Sequence, residues 1–219
     1  MPTPTQTMVR AARRRGATVL THRQWGSREL RTYASRRIAT RRGVWPGFKL
    51  KADTLVLHIT VTFDSGELRG DFKADMQTVE RIGKERSGSG ISYNACVDMA
   101  TGMAGVGQPL DSKGTHTVND KAVPGYSRDQ NLVARAIACL GMPGALLSDA
   151  ALETIVDLMV GMWEAGALTD DPDVVPHSLF AYKDCPTTAV RDRIPEIRRR
   201  YRARIQRATT TTTTRKAHQ

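Results

Sequence analysis

The chain has 219 residues, 40% of them hydrophobic, with 33 Lys and Arg against 22 Asp and Glu. That length fits one domain with extensions, and no apolar run approaches the ~20 residues needed to span a bilayer. The first ten residues lack the apolar stretch of a secretory leader, which predicts synthesis in a cytoplasm. Three widely spaced cysteines, Cys96, Cys139 and Cys185, argue against a disulfide framework and for a reducing compartment. Cys96 and Cys139 lie in apolar surroundings, where a small buried thiol is the default. Cys185, between Asp184 and Pro186, continues no apolar pattern.

The net charge of +11 hides a segregation along the chain. Residues 1–51 carry 13 bases and one acid, residues 191–219 carry 10 bases and two acids, and the middle has 19 acids and 10 bases. An acidic body is thus flanked by basic ends. Such ends either seek polyanions, such as nucleic acid, anionic lipid or wall polymers, or are solvated tails.

In chain order, residues 1–18 read as a flexible basic arm with little to pack. Residues 19–51 hold Trp25, Tyr33, Trp45 and Phe48 among arginines and are expected to lie against the body. Thr54 to Val61 is a near-continuous apolar run, the mark of a fully buried strand, with His58 inside it. Phe72, Met76, Val79 and Ile82 recur at helical spacing, predicting a helix over 71–86 that Ser-Gly-Ser-Gly at 87–90 ends.

Strands are expected near 91–98, 102–107 and 131–139. Ser148 can cap a helix with Leu152, Ile155, Val156, Met159 and Trp163 on its core face and Gly166 as stop signal. A loop follows over His177–Cys185. Thr188 to about Arg207 reads as a basic helix begun or broken near Pro195, and 208–219, with six threonines, as a low-complexity tail. Strands interleaved with helices predict an α/β fold, a central mixed sheet flanked by helices. The domain proper is placed at 19–207.

The chemistry concentrates in Pro176–Pro186, where His177, Lys183 and Cys185 lie close together, and in His58 far upstream. Zinc takes imidazole nitrogen and thiolate sulfur, and catalytic sites supply three protein ligands and leave the fourth position open. Two histidines and a cysteine fit that count. By itself a histidine on a buried strand is more often a hydrogen-bonded core residue than a ligand. His22 and His218, in the basic flanks, are expected to be solvated.

Five pieces occur in the order of one family. Arg23-Gln24-Trp25-Gly26 resembles its opening Trp-Gly element, and Leu57-His58-Ile59-Thr60 the strand that carries the first metal ligand. Ile91-Ser92-Tyr93-Asn94 resembles its Ile-Gly-Tyr-His strand, and Gly114-Thr115-His116-Thr117 a Gly-x-His loop on the groove wall. Pro176-His177 through Lys183-Asp184-Cys185-Pro186 resembles the segment that supplies the last two ligands. Over roughly residues 20–200 the chain resembles the zinc-dependent type-2 N-acetylmuramoyl-L-alanine amidases, whose fold is shared with peptidoglycan recognition proteins and many phage endolysins.

The resemblance implies a zinc ion held by His58, His177 and Cys185. It implies Tyr93 and Lys183 as catalytic residues that face the reacting oxygen, and Thr115 and His116 as residues of the groove. For His116 three roles are open: substrate contact, which ranks first, a fourth ligand, or none. Ile59 stands where the family often has a second histidine, and Pro176 replaces the glycine before the second ligand. The segment 26–52 is longer and richer in arginine than the family pattern.

The implied reaction is hydrolysis of the amide between N-acetylmuramic acid and L-alanine. A zinc ion helps by lowering the pKa of a bound water toward ~7 and polarising the carbonyl. The implied setting is a phage endolysin, made in a host cytoplasm and acting as a monomer on peptidoglycan once the membrane is breached. The basic ends would then be free to meet anionic wall polymers, with no specific nucleic acid expected. The alternative is a non-catalytic peptidoglycan-binding module of the same fold.

Overall fold

The computed structural model describes residues 1–60, 70–142 and 144–216, with side chains through 210. In chain order the elements are helix α1 (Pro4–Arg14), strand β1 (Val19–Leu20), helices α2 (His22–Trp25) and α3 (Leu30–Arg41), and strand β2 (Ala52–Thr60). Helix α4 (Phe72–Ser87), strands β3 (Ala95–Asp98) and β4 (Ala104–Val106), the single turn α5 (Gln130–Val133) and strand β5 (Ala134–Leu140) follow. The chain ends with helix α6 (Asp149–Glu164), strand β6 (Leu168–Pro176), a 3-10 turn (His177–Leu179), and helices α7 (Thr188–Arg191) and α8 (Ile194–Lys216).

The strands form one mixed sheet in the order β1-β4-β3-β5-β2-β6. Among the described strands only β3 and β4 pair antiparallel; the other neighbours are parallel. The expected α/β architecture is therefore present. Val61, the last residue of the expected central strand, lies outside the described residues.

Side chains alternate across β2, as a pleated strand requires. Leu55, Leu57 and Ile59 join Ile137 and Cys139 in the main core, with α6 residues Leu152, Ile155, Val156 and Met159. On the opposite face, Cys96, Ala138 and Leu140 meet Trp25, Met76 and Val79. Helix α4 begins where the Asp71 carboxylate accepts from the amides of Lys73 and Ala74 at 2.9 and 3.0 Å, and it ends at Gly88 in the left-handed region. Ser148 caps α6 by accepting from the amide of Ala151 at 3.1 Å. Both devices satisfy helix-end groups that have no partner within the helix.

The basic ends depart from expectation. Residues 1–18 are not a free arm, because α1 is docked, with Met8, Ala11 and Ala12 fully buried and Val9 nearly so. Thr3 and Gln6 form a reciprocal capping box with Pro4 in the first turn, a start signal written in Thr-Pro-Thr-Gln. Helix α1 lies so close to α6 that a Cβ on Gly161 would sit 2.6 Å from the carbonyl oxygen of Met8. The threonine run is not a structureless tail either, since α8 continues through it to Lys216. His22 is not solvated: its Nε2 lies 2.7 Å from the carbonyl of Gly107 and its ring stacks on Tyr33. His218 lies outside the described residues.

Several arginines of the two ends meet acids of the body. Arg193 pairs with Asp149, Arg198 with Asp173 and Arg202 with Asp171, at 2.6–3.2 Å, while Arg200 and Arg204 grip Glu153. Arg204 also pairs with Asp157, which is 4% exposed. Arg14 and Arg15 reach Glu164 at the end of α6. The exposed pairs contribute little singly, but a buried carboxylate that loses its cation is costly.

Burial pushes the Asp157 carboxyl up to about 6 even against the opposing pull of Arg204. Removing the arginine leaves that acid without its main compensation. Arg204→Ala is expected to cost about 2–3 kcal/mol, discounted from the fully buried case because Arg204 is partly exposed. Urea unfolding measures the loss, and an unchanged midpoint would show the pair to be inert. The double variant Arg204→Ala/Asp157→Ala should recover part of it.

Candidate metal centre

Register places the first two candidate ligands side by side. In the parallel β2–β6 pair, Leu57 lies opposite Pro176, so the residues that follow each, His58 within β2 and His177 just past the end of β6, are neighbours. His58, on a strand with partners on both sides, is 1% exposed. Its ring centroid is 4.3 Å from that of His177. The loop after the 3-10 turn then returns, and the amide of Ser178 donates to the carbonyl of Cys185 at 2.6 Å. This closes the loop and carries the Cys185 sulfur back to β2, where Sγ accepts from the amide of Ile59 at 3.4 Å. Cys185–Pro186 is a cis peptide bond.

One ligand atom each from His58, His177 and Cys185 lies within 4.8 Å of the others. Sγ of Cys185 is 4.0 Å from Nδ1 of His58. Bonds of about 2.0 Å to nitrogen and 2.3 Å to sulfur put neighbouring donors of a tetrahedral shell about 3.3–3.8 Å apart. The three atoms need draw in by only about 1 Å to hold an ion, and the donor set suits zinc.

Electrostatics prepares the donors. Burial lowers the pKa of His58 well below the usual histidine range, helped by the charges of His177 and His116. His177 falls to about 4, first through burial and then through Lys183. Both imidazoles are therefore neutral at pH 7, with lone pairs that need not shed a proton. Burial raises the Cys185 thiol, while the Ile59 amide and Lys183 oppose that shift. A cation at this position deprotonates such a thiol outright.

The other predicted residues separate into two groups. Tyr93 stands at the site, its ring centroid 4.8 Å from that of His58. Burial, then the Cys185 charge, raises its hydroxyl above the ordinary tyrosine value, so it is a proton donor at neutral pH. Lys183 is exposed at the rim, and its charge acts on both His177 and Cys185. Thr115 lies in a hydroxyl cluster instead, with Oγ1 2.7 Å from Ser89 Oγ and 3.0 Å from Ser92 Oγ. His116 is 6% exposed, and its Nδ1 is 3.2 Å from Nε2 of His58.

Two residues to which the motifs assign no role also reach the centre. Thr117 Oγ1 is 3.1 Å from Nε2 of His177. Asn131 fixes Thr117 from both sides: its Oδ1 accepts from the Thr117 amide at 3.2 Å, and its Nδ2 donates to the Thr117 carbonyl at 2.7 Å. Adjacency to His116 is the only signal for Thr117 in the sequence, and Asn131 has none.

No family model matches the sequence, and no curated protein is detectably similar to it. Solved structures do match. Drosophila peptidoglycan recognition protein SA is 24% identical with a TM-score of 0.60, over 82% of this chain and 91% of that one. Drosophila PGRP-LB is 17% identical with a TM-score of 0.58, over 83% and 92%. A looser superposition, with a TM-score of 0.47 and 22% identity over 65% and 78%, is to the endolysin N-acetylmuramoyl-L-alanine amidase LysCS of Clostridium intestinale. The chain therefore has the fold of the peptidoglycan recognition proteins, the one that its order of motifs implies.

Proposed function

We propose that the protein is a zinc-dependent peptidoglycan hydrolase of the endolysin type, cutting the amide between N-acetylmuramic acid and L-alanine. The observation that carries this reading is the convergence of His58, His177 and Cys185, with a protonated Tyr93 beside them. Zinc, when bound, supplies Lewis acidity toward the carbonyl and a nucleophile at neutral pH. Two neutral imidazoles and one thiolate leave the centre one net positive charge, which favours the developing oxyanion. Among the described residues the Tyr93 hydroxyl has no hydrogen-bond partner, and it is available to donate to that oxygen. Lys183 adds its positive charge from the rim.

The alternative, a module that binds peptidoglycan without cutting it, would not need a thiolate at the centre; the presence of Cys185 favours the enzyme. Mass spectrometry of digested wall decides the matter. Free stem peptides beginning at L-alanine are expected. Cleavage at a sugar or peptide bond, or wall binding without any product from zinc-replete protein, would reject the proposal.

Tyr93→Phe and Lys183→Ala test the two donors. One well-placed donor to an oxyanion contributes about 10²–10³ in rate, and that loss in kcat is expected for Tyr93→Phe with zinc content unchanged. Lys183→Ala, acting from the exposed rim, is expected to lose less than Tyr93→Phe. Full turnover in either variant would remove that residue from the mechanism.

A polyanion-seeking role for the ends is narrowed by the ion pairs of α8. Arg10 on α1 and Arg23 on α2 have no carboxylate partner among the described residues, and any attraction to anionic wall polymers would rest on arginines of this kind. Wall binding that weakens steeply with salt is the expected signature.

A further inference from the structure

We infer that His116 and Thr117 are positioning residues, which orient His58 and His177 for the metal through the ring nitrogens turned away from it. The inference rests on the metal centre proposed above and goes beyond it, because it assigns a role to a loop that is otherwise read as groove wall.

Three observations carry it. The first is accessibility: His116 is 6% exposed, and its Nε2 is sealed from solvent and without a hydrogen-bond partner. A substrate in an open groove cannot reach that atom.

The second is proton bookkeeping along the contact. Nε2 of His58 and Nδ1 of His116 are 3.2 Å apart and share one proton. If His58 carries it, His58 Nδ1, the atom facing Cys185, keeps its lone pair for the ion. The opposite arrangement would put the His58 proton on Nδ1 and block the metal. His116 then accepts through Nδ1 and holds its own proton on Nε2. Likewise, if Nε2 of His177 donates to Thr117 Oγ1, 3.1 Å away, Nδ1 of that ring keeps its lone pair for the ion.

The third observation is rigidity. Both residues sit on a strap clipped to the ligand loop and to α5. The Gly114 amide donates to the Asn131 carbonyl at 2.9 Å, and the Lys121 amide to the Phe180 carbonyl at 3.1 Å. Lys121 Nζ donates to the Ser178 carbonyl at 2.8 Å, and Asn131 brackets Thr117. Partners that hold the far nitrogen of a ligating histidine fix its tautomer and ring direction, and losing one costs about 10–100-fold in metal affinity or activity.

The test is zinc affinity, measured by competition with a chromophoric chelator, together with the visible spectrum of the cobalt-substituted protein. His116→Ala and Thr117→Val are expected to bind zinc about 10–100-fold more weakly, with an altered cobalt spectrum. His116→Gln, whose amide oxygen can accept from His58, and Thr117→Ser, which keeps the hydroxyl, should restore most of that loss. These conservative variants also carry the test if His116→Ala does not fold. A tight-binding parent whose His116→Ala and Thr117→Val variants match it in affinity and spectrum would overturn the inference and leave the metal centre standing. A raised KM with unchanged zinc affinity in His116→Ala would overturn it in favour of substrate contact. A parent that binds neither metal would remove the centre itself.

Discussion

Cys185→Ser is expected to abolish zinc binding and wall hydrolysis together, with both falling by more than about 100-fold. The floor follows from ranking: loss of an outer partner of a ligand costs about 10–100-fold, and loss of the ligand must exceed that. Serine is nearly isosteric, so the fold around Pro186 and the Ser178 amide keeps its contacts. A hydroxyl, however, does not ionise near neutral pH as a thiol beside a cation does.

The same change should uncouple stability from metal. A ligand that binds only the folded state stabilises it by RT ln(1 + [L]/Kd), about 4 kcal/mol at a thousandfold excess over Kd. The parent Tm should therefore rise with added zinc and fall with a chelator, whereas the Tm of Cys185→Ser should respond to neither. Because the three donors lie within 4.8 Å before any ion is added, metal-free Cys185→Ser should match metal-free parent in stability. A variant that keeps stoichiometric zinc and lyses walls at the parent rate would dismiss Cys185 as a ligand and the proposed centre with it.

The parts of this molecule that were legible in its sequence share one property: their pattern is local. The apolar run around His58, the 3.6-residue spacing from Phe72 to Ile82 and the Ser148 cap each specify an element by themselves, and each element is present at nearly its expected place. Strand β6 is different. Leu-Thr-Asp-Asp-Pro-Asp-Val-Val-Pro holds three acids and two prolines, an unlikely strand by composition, yet it is an edge strand, where proline is tolerated. That strand sets His177 beside His58, so the pairing of the two candidate ligands was visible only through resemblance.

The second ring of contacts was less legible still. Thr117 and Asn131 meet through the course of a loop, and nothing in residue type or spacing marks them. The ion pairs of the charged ends were hidden for a related reason. A run of arginines looks like a solvated or polyanion-seeking segment until the sequence-distant acids of α6 and β6 are brought opposite it.

Deletion of residues 1–15 carries the other large expected effect, a loss of about 5 kcal/mol in unfolding free energy. Burying a Met or Val side chain contributes about 1.5–3 kcal/mol each. Met8 and Val9 leave with the deletion, together with fully buried Ala11 and Ala12, and apolar α6 surface is uncovered. Against a total of about 5–15 kcal/mol for a typical domain, such a loss shifts the urea midpoint strongly and can leave the truncated chain unfolded.

A gentler change decides the same question by its sign. Gly161 lies within α6, where alanine is favoured over glycine by up to about 1 kcal/mol. If residues 1–15 were a free arm, Gly161→Ala would stabilise the protein. With α1 docked, the new Cβ falls 2.6 Å from the backbone oxygen of Met8, a contact that only movement of α1 can relieve. Gly161→Ala is therefore expected to destabilise the full-length chain, and a raised urea midpoint in that variant would return α1 to the status of a loose extension.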